Sequence, residues 1–316
     1  MREPLQVGPV VAAPGQKVHG YLPVPGVQEI PMTLVAGERS GPTLLVSAGV
    51  HGGEYPAIAA AIRLARELSP QTLTGRVIIL HIVSPASFFA KTAYVVPLDG
   101  KNLNRSFPGR ARGSAAERIA HTVVHEALAK ADAWVDLHGG DIHEVVVPFT
   151  MVPGAGERDV LERSLQLAEA FGIEHVVPGD DLEGTGYAAA AALGVPAILA
   201  AAGGAGRYDV QSESIHVRGV KAVMGELGIG PAVTRTQGPV TVHRAFPWIR
   251  AGADGLFYPE VAVGERVKQG QTVGELHDVF GDTVEYYEAP ADGILLFLAT
   301  SLAITAGDPL MAVAVD

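Results

Sequence analysis

The stretch "TLLVSAGVHGGEYPAIAAAIRLARELSPQTLTGRVIILHIV", residues 43–83, decides the fold class. Its first eight residues, 43–50, form a mostly apolar stretch of strand length, and RVIILHIV, 76–83, forms another. Between them lies a short glycine-containing loop and then a helical pattern from about Ala57 to Leu68. An apolar run of this length bounded by turn residues reads as a strand buried on both faces. Two such strands joined by a helix make the unit from which α/β sheets are built.

The alternation continues along the chain. AWVDLHG (133–139) and PAILAAAGG (196–204) read as buried strands, while KVHGYLPV (17–24) and EIPMTLVAG (29–37) read as paired strands broken by Pro and Gly. Residues 114–130 have helical periodicity, with Ser114 and Glu117 spaced as a capping box. ERSLQLAEAFG (162–172) and GYAAAAALG (186–194) read as further helices. The expectation is an α/β sheet with helices on both faces. After about residue 235 the pattern changes to short strands and frequent glycines, predicting an α/β domain over 1–235 and a small accessory all-β domain over 236–316. GLFYPEVAVGERVKQGQTVGEL (255–276) resembles a biotinyl or lipoyl carrier module, but Lys268 sits in the wrong part of the pattern for the modified lysine.

Composition narrows the function. The 316 residues are 48% hydrophobic and 18% charged, enough to bury a large core and too apolar for disorder. A formal charge of −11 argues against nucleic acid or an anionic membrane as partner. There is no cysteine, which removes disulfides, thiolate nucleophiles and cysteine zinc sites. MREPLQVGPVVAAPGQ has no signal-peptide core, and no apolar run reaches the roughly 20 residues of a membrane helix. A cytoplasmic protein is expected, and self-association into a homo-oligomer is left open.

The chemistry sits at predicted strand ends, where α/β sheets bind ligands. SAGVHGGEYP places His51 and Glu54 three apart in a glycine-rich loop, and WVDLHGGD places His138 after another strand. Two His and one Glu supply zinc with three protein ligands and leave a position for water. Asp136, two residues before His138, is spaced to orient an imidazole from behind. The plainer reading of each is an ordinary loop histidine. DGKNLNRSFPG adds Asn104 and Arg105, and an Arg fork grips a carboxylate with two parallel hydrogen bonds. Its plainer reading is a surface Arg in a turn. Of the other histidines, His143 follows HGGD closely enough to line a pocket and bind substrate, whereas His81 reads as a core residue and His121 and His125 as one helix surface.

HGGEYP, NLNRSFPG and DLHGG, in that order, resemble the succinylglutamate desuccinylase/aspartoacylase family of the zinc carboxypeptidase clan, and the resemblance runs from about residue 40 to 316. It implies a zinc-carboxypeptidase-like mixed sheet and a zinc-dependent amidohydrolase that removes an acyl group from a small N-acylated amino acid or similar amine bearing a carboxylate. His51, Glu54 and His138 match the family's zinc ligands, and Arg105 with Asn104 matches its carboxylate clamp. The family's general base is a Glu in a motif of the form PAI-x-x-E-x-GG, and that position here is Ala201. Three readings follow: a substitution made to trap ligand, a natural protein that binds but hardly turns over, or a base supplied elsewhere, with Glu183, Asp209 and Glu213 as candidates. A low-activity form of a deacylase is therefore expected, with a metal-dependent binding protein and a carboxypeptidase for short peptides as alternatives. Asn102 stands where many members have Asp, and Tyr94 near a second Arg of aspartoacylase-type members, so a less acidic substrate is expected.

Overall fold

A computed structural model describes residues 3–179, 183–231 and 239–316. The chain begins with a small hairpin, β1 (Leu5–Val7) and β2 (Val10–Ala12). Next, β3 (Lys17–Val24) and β4 (Gln28–Ala36) pair antiparallel from Lys17↔Val35 to Val24↔Gln28. The deciding stretch becomes β5 (Arg39–Ala48), α1 (Tyr55–Glu67) and β6 (Thr74–Leu80), with β5 and β6 parallel. Then come α2 (Pro85–Ala90), α3 (Ala115–Thr122), β7 (Ala133–His138), β8 (Glu144–Pro153), α4 (Arg158–Phe171) and β9 (His175–Gly179). α5 (Gly186–Ala192), β10 (Ala197–Gly204) and α6 (Val210–Glu226) follow.

From residue 239 the described chain holds strands and no helix. They are β11 (Thr241–Val242), β12 (Trp248–Arg250), β13 (Gly255–Pro259), β14 (Arg266–Val267), β15 (Thr272–His277), β16 (Thr283–Glu288), β17 (Gly293–Ala299), β18 (Ala303–Ile304) and β19 (Pro309–Val315). The expected domain boundary at 235/236 lies outside the described residues.

The main sheet is mixed, in the order β12-β19-β17-β8-β10-β7-β5-β6-β4-β3. Its centre, β10-β7-β5-β6, is parallel, and β8, β4 and β3 flank it antiparallel. Each central strand is buried on both faces. Ile198 and Ala200 of β10 face one core with α1, α4 and α6, and Ala197, Leu199 and Ala201 face the other. Filling both cores, each buried Leu, Ile or Val contributes roughly 1.5–3 kcal/mol. The C-terminal strands form a four-stranded sheet, β16-β15-β13-β18, yet also extend the main sheet, because β17 pairs antiparallel with β8 through Phe297↔Val146.

Besides β1, β2, α2, β8 and β9, which no predicted element covers, two departures bear on sequence signals. The helix predicted over 114–130 is α-helical only to Thr122, then widens into a π turn, Val123–Ala127, and tightens into a 3-10 turn, Leu128–Lys130. The long α6 was not anticipated. Its inward face carries the buried polar residues Ser212, Glu213 and His216, which blur the apolar stripe that announces a helix.

The loop after β5 is cramped: a Cβ added at Gly52 would collide with the backbone of Phe88 in α2. Gly52→Ala is expected to destabilise the protein by about 1–3 kcal/mol, the usual cost of overpacking. Thermal unfolding in excess chelator checks this apart from any metal contribution; an unchanged midpoint would show that α2 yields freely.

Candidate metal centre

β5 and β7 are parallel neighbours in register Ala48↔Leu137, so their C-terminal ends emerge side by side. His51 and Glu54 follow β5, and His138 ends β7. All three are buried. Glu54 lies between the imidazoles: Oε1 is 2.9 Å from His51 Nδ1, and Oε2 is 2.9 Å from His138 Nδ1. One ligand atom from each lies within 4.8 Å of the others.

What lies behind the rings fixes their protonation. His138 Nε2 is 3.0 Å from Asp136 Oδ2, and His51 Nε2 is 3.1 Å from Asn102 Oδ1. Asn102 Oδ1 also accepts the Asn104 N–H at 2.8 Å, which sets the amide orientation. Both outer partners are acceptors, so both Nε2 atoms carry hydrogen. In neutral imidazoles the Nδ1 atoms are then bare and point, lone pair against lone pair, at a carboxylate. Only positive charge resolves that arrangement, as protons on both rings or as one cation among the three groups. Burial opposes charging His51 and His138, yet Glu54 prevails and raises both pKa values. Burial likewise resists Glu54, but the two imidazoles hold it below the usual carboxylate range. The donor set of two Nδ1 atoms and one carboxylate fits a zinc-type site. Asp136 is itself held by Ser47 Oγ at 2.6 Å, and Ser47 by the Trp134 indole N–H at 2.6 Å. This buried relay on one face of β5 and β7 gives His138 little freedom to turn.

The three residues open onto a cavity of about 440 Å³. Arg105 lines it from a short turn, Leu103–Arg105, with Nη1 donating to the Asn104 carbonyl at 2.6 Å. Asn104 also lines it, but its Oδ1 accepts the Gly186 N–H at 3.0 Å and so ties the start of α5 to the arginine turn. Ala201 faces the cavity beside His138, its register partner across β10 and β7. Phe149, Met151 and Leu199 make an apolar wall, and Trp248, Arg250, Phe297 and Asp308 reach in from the C-terminal strands.

His143, expected in the pocket, is exposed and lies outside the lining. The Asp141–Glu144 turn sends its neighbour Glu144 inward instead. Nor do the three alternative base candidates reach the cavity. Glu183 is exposed, Asp209 caps α6 by accepting the Ser212 N–H at 2.7 Å, and Glu213 is engaged with Arg63 and Tyr208. Sequence reasoning missed Glu144 itself, a buried carboxyl that accepts from Tyr94 Oη at 2.8 Å and from the Asp141 N–H at 2.9 Å. The only available signal was an acidic residue soon after DLHGG. It also missed Asn102 as the partner of His51.

A family model described as succinylglutamate desuccinylase/aspartoacylase catalytic domain matches residues 40–227. A curated relative, the N-alpha-acetyl-L-2,4-diaminobutyric acid deacetylase of Halomonas elongata, is 29% identical over 94% of this chain and 91% of its own length. A product-bound structure of an ectoine utilization protein from Ruegeria pomeroyi superposes with a TM-score of 0.88 at 26% identity, covering 100% of both chains. The structure of a succinylglutamate desuccinylase/aspartoacylase from Rhodobacter sphaeroides gives a TM-score of 0.82 at 31% identity over 94% of each chain.

Asp136→Asn removes the anionic acceptor behind His138. It is expected to weaken zinc binding roughly 10- to 100-fold, as loss of such a partner commonly does. Calorimetric titration of chelator-stripped protein measures this; equal affinity in the two forms would show that the relay does not set the ring.

Proposed function

Because this chain belongs to the succinylglutamate desuccinylase/aspartoacylase family, we propose that it is a zinc-dependent amidohydrolase acting on a small N-acyl amino acid. The observation that carries the reading is the pair of Nδ1 atoms aimed at Glu54 from two rings, each fixed from behind by an acceptor at Nε2. Zinc held by His51, Glu54 and His138 would polarise the acyl carbonyl and make bound water acidic enough to attack at neutral pH. The chain's own residues supply the rest. Arg105 offers its fork to the substrate carboxylate, and Asn104 holds the arginine turn against α5. Asp136 and Asn102 keep both rings in the Nε2–H tautomer.

Residues from the C-terminal strands wall the cavity, which supports a small substrate over a peptide running through an open groove. The deacetylase name of the Halomonas elongata relative supports an N-acyl amino acid, and Tyr94 standing where a second Arg is expected supports one of lower acidity. Among the described residues no helix is long and apolar enough to cross a membrane. Ala201 supports slow turnover, and it is also what favours the second reading, a metal-dependent binding protein with no turnover.

Ala201→Glu distinguishes the two. Its side chain would enter the cavity beside His138 rather than the opposite core, so the variant is expected to fold and keep its zinc. A general base is worth roughly 100- to 10,000-fold where no other is present, so the variant should hydrolyse at least one member of a panel of N-acetyl amino acids. A folded, zinc-loaded variant that hydrolyses no panel member would refute the amidohydrolase reading.

The clamp is tested separately. Arg105→Lys keeps the charge but loses the bidentate fork, so KM should rise for carboxylate substrates and stay level for their carboxamide analogues. A parallel rise for both would remove Arg105 from carboxylate recognition.

A further inference from the structure

Glu144 is a buried acid in this cavity to which the proposed function gives no task. It begins β8, which lies across β10 from β7, so it stands at the same end of the sheet as His138 and Ala201. It is 6% exposed, and that small surface lines the same cavity as the three proposed metal ligands. Its hydrogen-bond partners are a hydroxyl and a backbone amide, Tyr94 Oη on Oε1 and the Asp141 N–H on Oε2. A carboxylate has about four acceptor positions, so lone pairs remain for a water or an amide N–H in the cavity.

Tyr94 ties this carboxyl to the metal-binding side of the pocket. Its backbone is in the left-handed region, φ 58°, a conformation that a non-glycine residue keeps only where its surroundings hold it. It is held there by its N–H, which donates to Asp141 Oδ2 at 2.8 Å. Its ring stands edge-on to His51, with 6.2 Å between centroids. Asp141 thus holds both Tyr94 and Glu144, and Tyr94 bridges from Glu144 to the His51 ring.

We propose that Glu144 is the catalytic acid–base residue of this pocket, moving the proton between attacking water and departing amine where Ala201 has no group to do so. This rests on the amidohydrolase reading above. Ionised Glu144 accepts a proton from water as the water oxygen bonds to the acyl carbon. The resulting carboxylic O–H then gives that proton to the amide nitrogen as the C–N bond breaks. The second water hydrogen leaves with the carboxylic acid, so one water and one amide become one acid and one amine, and Glu144 returns ionised.

The surroundings suit the task. Burial raises the Glu144 pKa, the Asp141 N–H and Tyr94 hydroxyl oppose the rise, the charges of Asp141 and Glu54 add to it, and the result is about 7. Arg105, Arg250 and Asp308 are the other charged groups lining the cavity. A base with a pKa near the working pH combines availability with driving force. Because the ionised form is the active one, turnover should fall as the pH drops through the Glu144 pKa, which zinc on Glu54 would set below this metal-free value.

The experiment uses the full-length zinc-loaded chain as wild type, E144Q, A201E, the E144Q/A201E double variant and Y94F, with zinc content, melting temperature, kcat, KM and pH–rate profile on the N-acetyl amino acid panel. E144Q is expected to lower kcat roughly 100- to 10,000-fold, leave KM and zinc content level and abolish the acid limb; adding A201E should restore turnover. Y94F, which deletes a donor to the ionised form, should move the acid limb to higher pH, and this arm stands even where E144Q fails to fold. Unchanged kcat and acid limb in E144Q, or an unmoved limb in Y94F, overturns the proposal. So does an E144Q defect confined to KM for substrates bearing a second amine, which would make Glu144 a cation-binding residue. An inactive wild type beside an active A201E refutes Glu144 while sparing the amidohydrolase reading; inactivity of both refutes that reading instead.

Discussion

The site depends on the opposition between two imidazole nitrogens and one carboxylate. His51 and His138 turn Nδ1 toward Glu54 because Asn102 and Asp136 claim their Nε2 hydrogens. Neutral rings would leave the three groups at hydrogen-bond distance with no proton between them, so the arrangement calls for positive charge, as protons on both rings or as one cation. The sheet makes this arrangement stiff. β5 and β7 run parallel in register, and the Trp134–Ser47–Asp136 relay lies between them on the face that carries His138. The structure therefore maintains a strong local preference for positive charge in a protein whose net charge is −11.

The cavity beyond that point is electrically uneven. Arg105 and Glu144 both line it, together with an apolar surface of Phe149, Met151, Leu199 and Ala201. Glu at 201 would place a further carboxylate beside His138; Ala there leaves that place apolar, with Glu144 at the start of β8 in the same cavity. Charge repulsion between close carboxylates raises pKa values, so the alanine also changes the field in which Glu144 sits.

Much of this was legible in local sequence. HGGE and DLHGG announced the three residues that the structure brings together, because strand ends and glycine loops are local signals, and apolar runs announced the parallel centre of the sheet. What was hidden depended on long-range geometry or on single dihedrals. His143 and Glu144 are adjacent, and only the Asp141–Glu144 turn decides that the glutamate points inward. Asn102 read as a departure from a family pattern, yet its side-chain oxygen serves His51 as a carboxylate oxygen would. The C-terminal hairpins were readable as strands, but their union with the main sheet was not, because Phe297 meets Val146 from the other half of the chain. α6 escaped because Ser212, Glu213 and His216 interrupt the apolar stripe of its buried face.

That union has a bearing on biosynthesis. Until β17 leaves the ribosome, the first residues of β8 present an unpaired strand edge, and the cavity lacks Phe297 and, after it in the chain, Asp308. Exposed edges and uncovered apolar walls are where nascent chains aggregate. The catalytic half of this chain is thus complete in sequence well before it is closed in space. Pauses in translation within the last third of the message would lengthen the interval in which a chaperone, rather than the protein's own strands, has to cover it.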